Sequence, residues 1–149
     1  MIVFMDASAV VKRYIAEVGS AWVAALTNDP ANRIFIATIT EVEVTSAIQR
    51  RALGGSLTRE AARAALARFE TDVTMGYSRI ALIPAVIHRA KLLVGAHALR
   101  AYDAVQLATA LQIATRLEKG TLTFVSADHA LNAVAQAEGL SVANPNDHP

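Results

Sequence analysis

Four short runs in this chain are apolar at nearly every position, not at alternate ones: Ile2-Val3-Phe4-Met5, Ile34-Phe35-Ile36-Ala37, Ile80-Ala81-Leu82-Ile83 and Leu122-Thr123-Phe124-Val125. A strand that is apolar on both faces must be covered on both faces. The stretches between these runs carry helical spacing, so the chain alternates strand and helix. That alternation restricts it to an α/β domain with a mainly parallel central sheet of about five short strands, flanked by helices. Residues 140–143 supply the fifth strand.

Local signals divide the helical stretches. Residues 9–25 read as one helix with an apolar line through Val10, Val11, Tyr14 and Ile15. Thr40 with Glu43 fits a Ser/Thr-x-x-Glu capping box, which starts the next helix there, and Gly54-Gly55 ends it. Thr58 caps a partner helix with Ala62, Ala65, Leu66 and Phe69 on one stripe, and the two form a helical hairpin. Residues 86–94 are helical up to Gly95. A further helix opens at Asp103, follows Leu107, Ala110, Leu111 and Ala114, and stops near Lys119-Gly120. Residues 129–137 form the last helix, ending at Gly139.

With 149 residues the chain has the length of one domain, read as residues 1–145 with a tail at 146–149. Its 54% hydrophobic content supplies a core and argues against disorder. No apolar run reaches the roughly 18 residues that cross a bilayer, and the start lacks the pattern of a signal peptide, so no membrane contact and a cytoplasmic protein are expected. Zero cysteines exclude disulfides, thiolate catalysis and cysteine-bound metal. A net charge of +1 offers no broad basic surface, so a role on nucleic acid has to rest on a site.

In open parallel sheets ligands bind beyond the carboxyl ends of the strands. The side chains there are acidic. Asp6 directly follows the first run, Glu41 and Glu43 follow the second, and Asp128 follows the fourth. Asp103 lies in the first turn of its helix, where the dipole favours negative charge. Carboxylates gathered in one crevice raise one another's pKa unless a cation neutralises them. Oxygen ligands, without cysteine or a histidine pair at ligand spacing, suit Mg²⁺ or Mn²⁺ rather than Zn²⁺ or copper. Such ions serve phosphodiester hydrolysis. Ser8 and Ser126 are placed to hydrogen-bond a ligand carboxylate and fix its rotamer. Lys12, Arg13 and Arg100 lie near the acids and are candidate contacts for the phosphates of a nucleic acid.

The opening DASAVVKRYIAEVGS at residues 6–20 resembles the start of the VapC-type PIN domains of bacterial toxin-antitoxin pairs. EVTSAIQRR at 43–51, LRAYDAVQLATAL at 99–111, and TFVSADHAL at 123–131 with GLSVANP at 139–145 resemble the family's later motifs, in order. The resemblance implies an Mg²⁺- or Mn²⁺-dependent endoribonuclease whose acidic cluster is Asp6, Glu43, Asp103 and Asp128. Within it Asp6 and Asp103 meet the metal, and Glu43 and Asp128 act through water. Glu41 is the alternate to Glu43. It further implies an RNA substrate, a cognate antitoxin beside the site, and a homodimer.

Each acid also has a plainer role open to it. Asp6 and Asp128 suit helix N-caps, Glu43 the capping box, and Asp103 the helix dipole. Two other functions compete: a catalytically silent RNA- or protein-binding module of this fold, and an aspartyl-phosphate protein. The second lacks the second aspartate and the late lysine that such proteins carry.

Overall fold

The structure is a computed structural model that describes residues 1–148. It has β1 (Ile2–Met5), α1 (Ala7–Val10), a 3-10 turn (Val11–Arg13), α2 (Ser20–Asn28), β2 (Arg33–Ala37), α3 (Ile39–Leu53), α4 (Arg59–Met75) and β3 (Ser78–Ile80). Then come α5 (Pro84–His97), α6 (Ala101–Ala114), β4 (Leu122–Val125), α7 (His129–Ala137), β5 (Ser141–Ala143) and a 3-10 turn (Pro145–Asp147). The strands form one parallel sheet in the order β3-β2-β1-β4-β5. This is the α/β architecture expected from the sequence, with its helical hairpin α3–α4.

The apolar runs work as their composition requires. Along β1, Val3 and Met5 join a core with Val10, Ile36, Val44, Ile48 and Phe69 on one face. Phe4 joins Leu107, Leu131 and Phe124 on the other. Phe4 and Phe124 stack with ring centroids 5.8 Å apart. Because the chain runs outward from β1 to β3 on one side and returns as β4 and β5 on the other, the strand order reverses at β1. The carboxyl end of that reversal is where doubly wound sheets open a crevice.

Several boundaries depart from the sequence reading. Residues 9–25 are not one helix: α1 and its 3-10 turn end at Tyr14, and α2 starts at Ser20. The break is enforced by Gly19, whose φ of +83° favours glycine and whose Cβ would lie 2.2 Å from the Pro145 carbonyl oxygen. No capping box forms at Thr40. The helix starts one residue before it, with Thr38 at the cap making no side-chain bond. Thr40 is fully buried instead. Thr58 does cap α4, accepting from the Ala61 N–H at 3.1 Å.

β3 lies at Ser78–Ile80, earlier than the apolar run 80–83, because Phe35 pairs with Ser78 and Ala37 with Ile80. α5 runs through Gly95 to His97 and closes on Ala98, at φ 52°. α6 stops at Ala114, well short of Lys119. At the far end Asn146 Nδ2 donates to the Ala127 carbonyl and His148 stacks on Trp22, so both side chains contact the domain. Pro149, the rest of the expected tail, lies outside the described residues. No helix among the described residues is long and apolar enough to cross a membrane.

Candidate active site

β1 delivers Asp6 into the reversal point. Its backbone N–H still bonds the Val125 carbonyl at 3.1 Å, so the side chain leaves from the very end of the ladder. Asp6 is 4% exposed. Its Oδ1 accepts from Ser8 Oγ at 2.7 Å and from the Ala9 N–H at 3.0 Å, and its Oδ2 accepts from Ser126 Oγ at 3.0 Å. Asp6 therefore does cap α1, and both oxygens are oriented. The two hydroxyls also tie the loops together: Ser8 Oγ accepts from Ala127 N–H and Ser126 Oγ from Asp128 N–H. Asn132 Nδ2 holds the Ser126 carbonyl at 2.7 Å. Burial pushes the Asp6 carboxyl up to about 6, and the Glu43 charge adds to this against those three hydrogen bonds.

Glu43 is half-buried in the second turn of α3. Its Oε2 accepts from Gln106 Nε2 at 2.6 Å, and the same nitrogen donates to Thr40 Oγ1 at 2.8 Å. Burial and the Asp103 charge raise its carboxyl against the Gln106 bond. Glu41 is engaged elsewhere, with Arg79 at 3.4 Å. The acid of this segment that acts on Asp6 is thus Glu43.

Asp103 is the third residue of α6, and Asp128 is the N-cap of α7. Asp128 Oδ1 accepts from the Ala130 and Leu131 N–H groups at 2.8 and 3.1 Å. Arg100 spans the two acids, with Nε 2.8 Å from Asp103 Oδ2 and Nη2 3.6 Å from Asp128 Oδ2.

Two expected RNA contacts have partners within the fold. Lys12 is buried, with its ammonium on Glu17 at 3.1 Å and the Val18 carbonyl at 2.9 Å. Arg13 clamps Asp72 at 2.6 Å, Thr27 at 2.5 Å and Asn28 at 2.9 Å. Both cations are engaged in ion pairs of the fold itself. The Arg13 and Tyr14 hydrogen bonds outweigh burial and hold the Asp72 carboxyl below its usual value.

The donor set admits a hard cation of limited ligation. All the donors are oxygens, and Asp6 and Glu43 sit above their ordinary pKa values partly through neighbouring negative charge. Among the described residues, however, no three His, Asp or Glu side chains are grouped so as to hold an ion by themselves. Mg²⁺ commonly keeps several waters and takes only one or two protein carboxylates, so a three-ligand cage is not a requirement for it. Gln106 Oε1, buried beside Glu43 with no partner, leaves one further acceptor oxygen in this wall.

Gln106 is the residue that sequence reasoning missed. The signal was present: one amide in the otherwise apolar α6 line, three residues after Asp103. A polar group buried in such a stripe needs partners, and Thr40 and Glu43 are those partners.

No family model matches the chain, and no curated protein does. Solved structures do match over nearly its whole length. A toxin–antitoxin complex from Klebsiella pneumoniae has a chain with TM-score 0.64 and 18% identity, covering 96% of this chain and 97% of that one. FitAcB from Neisseria gonorrhoeae gives TM-score 0.66 at 16% identity, covering 96% and 97%. VapC20 of Mycobacterium tuberculosis, described as a sarcin–ricin-loop-cleaving toxin, gives TM-score 0.65 at 14% identity, covering 89% and 94%. The chain shares the fold of these structures, toxin–antitoxin proteins among them.

Proposed function

We propose that this chain is a divalent-metal-dependent endoribonuclease of the VapC-like PIN type, the toxin of a toxin–antitoxin pair. The observation that carries this reading is the placement of Asp6, Glu43, Asp103 and Asp128 at the carboxyl edge of the sheet, with the Glu43 charge acting on Asp6 and the Asp103 charge on Glu43. The shared fold with toxin structures supports the class.

Asp6 and Asp103 would hold the cation, with Glu43 and Asp128 reaching it through water. Bound there, Mg²⁺ or Mn²⁺ supplies Lewis-acid polarisation of the scissile phosphodiester and a lowered pKa for water. The chain's own residues supply orientation. Ser8 and Ser126 fix the two oxygens of Asp6, and Gln106 fixes Glu43 from behind. Each bond favours the ionised carboxylate in one rotamer, which is the state a hard cation needs. A cytoplasmic antitoxin partner and a homodimer belong to the same reading.

A silent binding module is the second reading, favoured by the lack of a three-ligand grouping and by Arg100 lying on two of the acids. Incubating the purified, antitoxin-free protein with total RNA in Mg²⁺, Mn²⁺ or EDTA separates the two. Discrete fragments that require the metal, Asp6 and Asp103 are expected. A folded, metal-loaded protein that leaves RNA intact would overturn the nuclease reading in favour of the binding module.

A further inference from the structure

We propose that Arg100 is a displaceable counter-ion of the acidic edge: its guanidinium holds the Asp103 and Asp128 oxygens that a divalent cation needs, and cation binding releases it toward the RNA backbone. This rests on the metal-dependent reading above.

The hydrogen-bond inventory of Asp128 makes the competition direct. Its Oδ1 is committed to two backbone N–H groups at the start of α7, so Oδ2 is the oxygen left over. Arg100 Nη2 lies 3.6 Å from that oxygen while Nε bonds Asp103 Oδ2 at 2.8 Å. One positive charge therefore serves two negative ones. A divalent cation at the same place would balance both, which favours exchange.

The Arg100 side chain is 79% exposed, and ion pairs of that exposure are weak because water screens them and the long side chain resists ordering. Arg13, at 16% exposure with three side-chain partners, shows what a fixed arginine looks like in the same protein. The backbone around Arg100 is held: Ala98 closes α5 in the left-handed region, and His97 bonds Glu138 at 2.8 Å. The group that exchanges is thus one exposed side chain on a held backbone. Once free, the guanidinium presents a planar fork suited to a phosphodiester.

Two measurements on the full chain test this. Titration with Mn²⁺, followed by the electron paramagnetic resonance of the free ion, compares wild type with Arg100→Gln. The variant should bind about two- to fivefold more tightly, the range spanned by exposed ion pairs. Arg100 makes no side-chain cap to α6, so the variant should keep its fold. Removing any nearby positive charge would also tighten binding, so the second readout follows Arg100 itself. In wild type, its Nε–H resonance should lose protection from solvent exchange as Mg²⁺ is added.

Equal or weaker Mn²⁺ affinity in the variant, or an Nε–H unmoved at saturating Mg²⁺, overturns the exchange and leaves metal-dependent cleavage standing. Absence of Mn²⁺ uptake by both proteins overturns the exchange together with the metal-dependent reading.

Discussion

Asp6→Asn should abolish function and yet make the protein more stable at neutral pH. The buried carboxyl is raised from 3.8 to about 6, so the folded state binds its proton more tightly than the unfolded chain does. Between those two values the native protein carries the extra proton, and stability falls as pH rises. Well above pH 6 the full cost of keeping a buried carboxylate ionised is present, about 3 kcal/mol. Asparagine is neutral at every pH and nearly the same shape. It keeps the oxygen that accepts from Ser8 and Ala9 but turns an amide toward Ser126, whose hydroxyl must then accept. That reversal offsets part of the gain, leaving about 1–3 kcal/mol. Urea unfolding followed by circular dichroism in EDTA, from pH 4 to pH 8, measures it. The difference between variant and wild type should move in the variant's favour as pH rises from 4 and reach its maximum above pH 6. A variant no more stable than wild type at pH 8, or a difference that ignores pH, would falsify the assignment of Asp6 as a carboxylate kept charged against its surroundings.

Three other perturbations follow from the same contacts. Glu43→Gln should leave the stability of α3 within about 0.5 kcal/mol, because no capping box forms at Thr40; a loss of about 1 kcal/mol in thermal unfolding would restore the cap. Arg13→Leu should destabilise the fold by about 1–3 kcal/mol, since Asp72 loses its charged partner and keeps only the Tyr14 hydroxyl, while RNA binding by the folded fraction stays unchanged. Because Asp72 is held below its usual pKa, the Arg13–Asp72 contribution should be full at neutral pH and fade as pH falls below about 4. Gly19→Ala combines a left-handed φ with a 2.2 Å approach to Pro145 and should cost at least about 2 kcal/mol in chemical denaturation; a neutral result would mean that the packing of residues 144–148 on α2 is wrong.

The positions of Asp6 and Asp128 were legible because they follow from strand ends, and strand ends follow from apolar runs; Asp103, in the first turn of α6, rested on the family motif instead. β4 and α7 were read to the residue for the same reason: each is bounded by strong local signals on both sides. The weak readings share a different cause. β3 was displaced because the run 80–83 is more apolar than Ser78–Ile80, yet the pairing with β2 decides which residues enter the sheet. The capping box at Thr40 satisfied a local pattern that lost to burial, since Thr40 faces Gln106 from a helix 66 residues away. Lys12 and Arg13 stand close to Asp6 in the chain, but in the fold they point into its own ion pairs.

Alternation of doubly apolar strands with helices was enough, in the sequence alone, to determine a parallel α/β sheet and to put carboxylates at its carboxyl edge. This is local information: hydrophobic period and strand length need no knowledge of distant residues. Tertiary structure alone decided which charges act on one another. The Glu43 charge reaches Asp6, Gln106 carries Glu43, and Arg100 spans Asp103 and Asp128 because β1, α3, α6 and α7 converge at one place. Electrostatic and hydrogen-bond energies depend on separations of a few ångströms between residues far apart in the chain, and only the packed sheet sets those separations.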